Sequence, residues 1–275
     1  MAAIPEGTMS ANSPIVLALD FDGVVCDGLR EYFQTAWRAY CQIWKPDDET
    51  PSEELAPQFY RLRPVVESGW EMPILIRSLV LGTPEDEILQ NWAAIAAQFI
   101  TDDELSAANV SAIVDEIRDQ WIATDLESWL AEHRFYPGVV DRLREELAST
   151  QCVIISTKEG RFIKQLLQQQ GIVLSDRQVY GKEVKRPKYQ ILKELTLEYG
   201  TTSIWFIEDR LKTLETVKKQ AGLENVTLFL ADWGYNTIAD RQLASEDDRI
   251  HRLSLEQFTQ DSANWGVENS QTLTS

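Results

Sequence analysis

The sequence predicts an α/β fold, a parallel sheet with crossover helices, interrupted early by a helical insertion. Three observations predict it. A wholly apolar run, Ile15 to Leu19, ends in Asp20, as expected of a strand buried on both faces of a parallel sheet. From Gly138 onward, short apolar runs alternate with stretches of helical period, the pattern of strands joined by crossover helices. Between these lies a proline-punctuated stretch that reads as helical pieces and loops. The chain's 275 residues, 44% of them hydrophobic, suffice for one large domain or a domain with a sizeable insertion.

In chain order, Pro14 to Asp20 is the first strand. Phe33, Trp37, Tyr40 and Trp44 recur at helical spacing, so one stripe of the next helix is aromatic and is read as core. Pro46, Pro51, Pro57, Pro64, Pro73 and Pro84 then break the chain into short pieces. Ile113, Ile117, Trp121, Leu126, Trp129 and Leu130 define one or two amphipathic helices, which stop before the turn signal Tyr136-Pro137-Gly138. Residues 29–135 are therefore expected to form a helical unit inserted into a core made of 1–28 and 136–275. Beyond the turn, Cys152 to Ile155 is a strand, Phe162 to Gln170 a helix and Val179-Tyr180 a minor strand. Lys188 to Tyr199 is a helix with Ile191, Leu192 and Leu195 inward, and Ile204 to Ile207 a strand. A helix with Leu211, Leu214 and Val217 follows, and Val226 to Leu230 is expected as the last strand of the sheet. The end after Asp261 is expected to fray.

Composition bounds the function. With 44 acidic against 26 basic residues the net charge is -18, which opposes binding to nucleic acid or to an anionic membrane surface. No apolar run approaches the roughly 20 residues that cross a bilayer. Met1 to Pro14 has neither a basic region nor an apolar stretch of signal-peptide length, so a cytoplasmic or comparable stromal location is expected. Cys26, Cys41 and Cys152 lack metal-ligand or redox spacing and read as reduced, structural thiols. His133 and His251 are not in metal-ligand spacing either and read as surface or interface residues.

In open parallel sheets ligands bind beyond the carboxyl ends of the strands, so polar residues just after apolar runs are the candidates for chemistry. Asp20-Phe21-Asp22-Gly23 follows the first strand, Ser156-Thr157-Lys158 the second and Glu208-Asp209-Arg210 the third. The segment Lys185-Arg186-Pro187-Lys188 opens a nearby helix and supplies positive charge. Clustered carboxylates repel one another, and a divalent cation is the usual remedy. An oxygen-only donor set suits magnesium, which takes one or two carboxylates with water and substrate phosphate, better than zinc.

The string Leu19 to Val25, Leu-Asp-Phe-Asp-Gly-Val-Val, resembles the first motif of the haloacid dehalogenase superfamily. Ile154 to Lys158, Arg186 to Leu192 and Phe206 to Asp209 resemble its second, third and fourth motifs, in the family's order. The resemblance implies a Rossmann-like parallel-sheet core with an α-helical cap inserted between the first and second motifs. A cap closing over the sheet edge would exclude water and shape the substrate pocket. It further implies Asp20 as a nucleophile that forms an aspartyl-phosphate and Asp22 as general acid/base. Asp22 points to phosphate chemistry, because halogen-removing members lack that second aspartate and need no magnesium. Ser156 is implied to hydrogen-bond a phosphoryl oxygen, with Thr157 able to take that part and Gly23 beside them in phosphate binding. Lys188, with Lys185 as rival, is implied to neutralise the nucleophile and the transferred group. The implied magnesium ligands are Asp20, Asp22, Asp209 and Glu208. Where many members carry a further aspartate four residues on, this chain has Thr213, so Glu208 is left to supply the second carboxylate.

Phe-Tyr-Pro-Gly-Val-Val at 135 to 140, the string 157 to 162, Glu208 to Leu211 and Trp233 to Thr237 are further similar to a branch of the superfamily from photosynthetic organisms. The activity implied is a magnesium-dependent phosphatase acting on a small phosphorylated metabolite, with a phosphotransferase or phosphomutase, or a non-catalytic scaffold, as alternatives. A receiver-type signalling domain fits less well, since receivers place an acidic pair after the first strand and the phosphorylated aspartate on a later one.

Overall fold

The computed structural model describes residues 16–199 and 203–265. The N-terminal stretch considered above for an export signal, with Pro14 and Ile15, lies outside them, as does the end beyond Trp265. The chain divides into two compact units, one formed by the residues up to Asp27 with those from Phe135 onward, the other by Gly28–Arg134.

In chain order, β1 (Val16–Leu19) and β2 (Cys26–Asp27) lead into α1 (Leu29–Trp44), α2 (Leu55–Leu62), α3 (Glu71–Val80), α4 (Glu85–Asp102), α5 (Ala107–Thr124) and α6 (Leu126–Ala131). After β3 (Arg134–Phe135) the alternation begins: α7 (Val139–Ser149), β4 (Gln151–Ile155), α8 (Gly160–Gln169), β5 (Val179–Tyr180), α9 (Lys188–Tyr199) and β6 (Ile204–Glu208). It continues with α10 (Leu211–Lys218), β7 (Val226–Ala231), α11 (Ile238–Glu246), β8 (Ile250–Leu253) and α12 (Leu255–Phe258).

The main sheet is six-stranded and parallel, in the order β5-β4-β1-β6-β7-β8. Its centre explains the continuous apolar runs: β1 and β6 are buried along their whole length, as strands covered on both faces must be. The register pairs Leu19 with Ile154 on one side and with Ile207 on the other, so the segments that follow β1, β4 and β6 emerge together at one edge. Strand order reverses at β1, and that edge is the topological switch point of the sheet.

Alternate residues of the strands divide the core. Val16, Ala18, Val153, Ile155, Phe206 and Leu228 cluster with Ile191, Leu192 and Leu195 of α9 and Leu214 and Val217 of α10. The intervening residues Trp205 and Phe229 belong to an aromatic cluster with Trp265, whose ring stacks on Phe258.

Two sequence expectations are corrected in this unit. Val226 to Leu230 is not the last strand: β8 pairs in parallel with β7 beyond it. Ile250-His251-Arg252-Leu253 carries two polar residues between two apolar ones, the composition of a half-covered edge strand, and so shows no apolar run. The stretch from Asp261 to Trp265 is not frayed, because Trp265 is buried against Trp205, Phe229 and Phe258.

The helical unit has its own core, in which Phe33, Ala36 and Tyr40 of α1 meet Phe59 and Leu62 of α2 and Met72, Leu75 and Ile76 of α3. The aromatic stripe of α1 is a stack, with Trp37–Tyr40 and Tyr40–Trp44 ring centroids each 5.2 Å apart. Pro57 and Pro73 do not break helices. Each lies in a first turn, where the missing N–H is not needed. His133 is buried rather than superficial, its Nδ1 3.1 Å from the Trp129 carbonyl oxygen and its ring edge-on to Trp129. All three cysteines are buried free thiols. No helix among the described residues is long and apolar enough to cross a membrane.

Inside the helical unit, Glu31 is fully buried, with its Oε1 2.7 Å from Arg118 Nε and 2.8 Å from Thr35 Oγ1. Removing one partner of a buried pair leaves an uncompensated charge, which is far worse than never having had the pair. Arg118→Met is therefore expected to destabilise the chain by about 3 kcal/mol in urea unfolding at neutral pH, and adding Glu31→Gln to recover most of that loss. Unchanged stability of Arg118→Met would show the pair to be idle.

Candidate active site

The site is built where the sheet switches direction. Asp20 directly follows β1, and its backbone N–H donates to the Ile207 carbonyl at 2.9 Å, which locks it beside the end of β6. Its Oδ1 accepts from the Phe21 N–H at 2.7 Å. The chain then turns sharply: Val25 and Cys26 N–H both donate to the Phe21 carbonyl at 2.9 Å. Gly23 makes this turn with φ +85, a left-handed conformation that glycine adopts without strain. A Cβ there would stand 2.1 Å from Asp209 Oδ2, so only glycine lets the turn approach the end of β6 this closely.

Lys188, the first residue of α9, reaches into the carboxylates. Its Nζ lies 2.6 Å from Asp20 Oδ2 and 2.7 Å from Glu208 Oε2. The other oxygen of Glu208 accepts from the Arg210 N–H at 3.0 Å. Asp209 Oδ2 accepts from the Tyr235 N–H at 2.7 Å, and Asn236 Nδ2 donates to the Asp209 carbonyl at 3.1 Å. One carboxylate oxygen from each of Asp20, Glu208 and Asp209 lies within 4.8 Å of the other two.

Electrostatics follow from burial and proximity. Burial raises the Glu208 carboxyl well above its ordinary range; the Lys188 ammonium opposes this, and the charges of Asp20 and Asp209 add to it. Asp209 is likewise raised, by burial first and by Asp20 second. Burial alone would lower Lys188, but Asp20 and Glu208 outweigh it and hold the ammonium above its ordinary value. Three acids and one cation leave the cluster short of positive charge, and its donors are all oxygen. A hard divalent cation such as magnesium fits that set.

The remaining expected residues are placed as follows. Asp22 is apart from this cluster in its contacts: both its oxygens face Lys158 Nζ, at 3.1 Å and 3.4 Å. Ser156 is buried at the end of β4, its N–H donating to the Tyr180 carbonyl at 2.9 Å and its Oγ accepting from the Lys158 N–H at 3.3 Å. Thr157 is exposed. Lys185 is exposed in a left-handed backbone conformation at the end of a 3-10 turn, and it is Lys188 that contacts the carboxylates.

Sequence reading gave no part to Lys158 or to the segment Gly234-Tyr235-Asn236. Yet Gly234 packs so tightly that a Cβ would stand 2.3 Å from Asp209 Cβ, and Tyr235 Oη donates to Asp27 Oδ1 at 2.9 Å. The strand-end rule that singled out three polar segments applies equally to this fourth one, which follows β7 at the same edge.

No protein-family model matches this chain, and no curated protein does. Solved structures do match. A protein named as a predicted phosphatase, from Clostridium acetobutylicum, superposes with TM-score 0.56 at 13% identity, covering 90% of this chain and 97% of its own. A haloacid dehalogenase-like family hydrolase from Streptococcus pneumoniae gives 0.52 at 15% identity, covering 88% and 95%. A protein named as a predicted phosphoglycolate phosphatase, from Haemophilus somnus, gives 0.54 at 15%, also covering 88% and 95%. The fold is therefore that of the haloacid dehalogenase-like proteins, as the resemblance of the four motifs implied.

Lys188→Met tests the electrostatics directly. Without the ammonium, Glu208 and Asp209, already raised in the folded chain, bind protons more tightly than they do unfolded. The variant should lose about 3 kcal/mol at pH 7 in cation-free buffer. Its stability relative to the parent should fall as pH rises from the unfolded carboxylate range of about 4 through the raised folded values. A constant difference between variant and parent from acid to neutral pH would contradict the role of Lys188 as the neutralising charge.

Proposed function

We propose that this chain is a divalent-cation-dependent phosphomonoester hydrolase that works through a phosphorylated Asp20 on a small phosphorylated metabolite. The observation that carries the reading is the joint placement of Asp20 at the switch point, Lys188 bridging it to Glu208, and Asp209 alongside. The phosphatase names of the similar structures support it from a separate direction.

In this reading an oxygen of Asp20 attacks phosphorus, the bond to the ester oxygen breaks, and Asp22 gives its proton to the departing alkoxide. Water then attacks the aspartyl-phosphate, Asp22 takes the proton back, and inorganic phosphate leaves with Asp20 restored. Lys188 offsets the negative charge that builds up when the phosphoryl group meets Asp20. Ser156 Oγ and the backbone around Gly23 orient the phosphoryl oxygens, with exposed Thr157 at the rim. Magnesium, held by Asp20 and Asp209 with Asp22 close by, would supply further charge neutralisation and orientation of the phosphoryl oxygens. Both oxygens of Glu208 already take a donor, one from Lys188 and one from Arg210, so its part is to hold Lys188 in place. The helical unit, inserted between the first and second strand-end motifs, is assigned the choice of substrate.

Phosphate release from a panel of small phosphate esters tests this. Release should require magnesium, stop on chelation, and fall to background in Asp20→Asn, which keeps the shape of the side chain but not its nucleophilic charge. Release that persists in Asp20→Asn would remove Asp20 from the mechanism, and no release from the folded chain across the panel would sink the hydrolase reading.

A further inference from the structure

Lys158 has no part in the scheme above, yet its side chain is only 8% exposed and its ammonium faces both oxygens of Asp22. Lysine carries about 2 kcal/mol of rotamer entropy, so an ordered, buried lysine needs partners that hold it. The backbone fixes where it starts: its N–H donates to Ser156 Oγ, and its carbonyl accepts from the Lys182 N–H at 2.9 Å. The residue is thus anchored at the end of β4 and spans to the turn after β1.

We propose that Lys158 is the positioning residue of Asp22, fixing the plane of that carboxyl group for proton transfer to the leaving alkoxide and from the attacking water. The proposal rests on the reading of Asp22 as the proton carrier. A single ammonium facing both oxygens restricts rotation about the terminal carboxyl torsion, which is otherwise broad. Whichever oxygen holds the proton, the other still accepts from the ammonium, so one contact orients the group in both half-reactions. Lys158 touches no reacting atom in this scheme and acts through Asp22.

Leaving groups separate this role from a structural one. An alkoxide must be protonated as it departs, whereas p-nitrophenolate is stable enough to leave unaided. Positioned general acids contribute about 10²- to 10⁴-fold, and only reactions that need the proton feel their loss. The ratio kcat/KM is the quantity to compare, because it reports steps up to departure of the alcohol and is blind to later hydrolysis of the aspartyl-phosphate.

The experiment measures kcat/KM of the full chain, Lys158→Met and Lys158→Arg on ethyl phosphate and on p-nitrophenyl phosphate, with thermal unfolding of each protein. Lys158→Met should lose about 100-fold on the alkyl ester and at least about tenfold less than that on the aryl ester. Lys158→Arg, which keeps the cation, should recover most of the alkyl loss. Equal losses on both esters in Lys158→Met would overturn the proposal and place Lys158 in phosphate binding or in the packing of the edge. Should Lys158→Met unfold below assay temperature, Lys158→Gln, which removes the charge but keeps a polar side chain, decides by the same ratio. If the unaltered chain shows no Asp20-dependent release, the hydrolase reading fails and this proposal with it, whereas an active parent with uniform variant losses sinks the proposal alone.

Discussion

Asp20, Glu208 and Asp209 are buried together at the switch edge of the sheet, and the ammonium of Lys188 between two of them is what makes that burial tolerable. Carboxylates gathered away from water repel one another, and in this cluster burial raises Glu208 and Asp209 toward their neutral forms. A lysine in the same place gains from what the acids lose. The arrangement remains short of positive charge, which accords with the proposed binding of a cation and a phosphate ester.

The geometry around that cluster is enforced by backbone rather than by side chains alone. Parallel register brings the ends of β1, β4 and β6 level, so residues far apart in sequence meet without long connections. Gly23 and Gly234 allow the turn after β1 and the loop after β7 to close onto Asp209, and the Tyr235 N–H fixes one of its oxygens. The same loop reaches Asp27 through the Tyr235 hydroxyl, and Trp233 Nε1 donates to the Val24 carbonyl at 3.1 Å. Preorganised donors and charges of this kind need no rearrangement when charge develops, which is where such sites gain most.

The central strands were legible because burial on both faces demands unbroken apolar runs, and their ends marked Asp20, Ser156 and Glu208 by position alone. β8 was not, since an edge strand carrying His251 and Arg252 has no such run. Pro57 and Pro73 looked like breaks but lie in first turns, a distinction that depends on where each helix starts. His133 was read as superficial, and the end after Asp261 as frayed, because the burial of His133 and Trp265 comes from tertiary neighbours that local pattern does not reveal. The choice between Lys185 and Lys188 needed the backbone: one sits in an exposed left-handed turn, the other opens α9. Lys158 stood in plain view after a strand, but its partner Asp22 lies 136 positions away, and a lysine in a loop is ordinarily solvated.

The central claim is that Asp20 carries the phosphoryl group. Its most direct test is acid quench of the chain during turnover of a substrate identified by phosphate release, followed by borohydride reduction and peptide mapping by mass spectrometry. An acyl-phosphate on Asp20 is reduced to a homoserine residue, so the account predicts homoserine at position 20 only when substrate and magnesium are both present. Turnover with Asp20 recovered unmodified, and with the reduced residue found elsewhere, would contradict it.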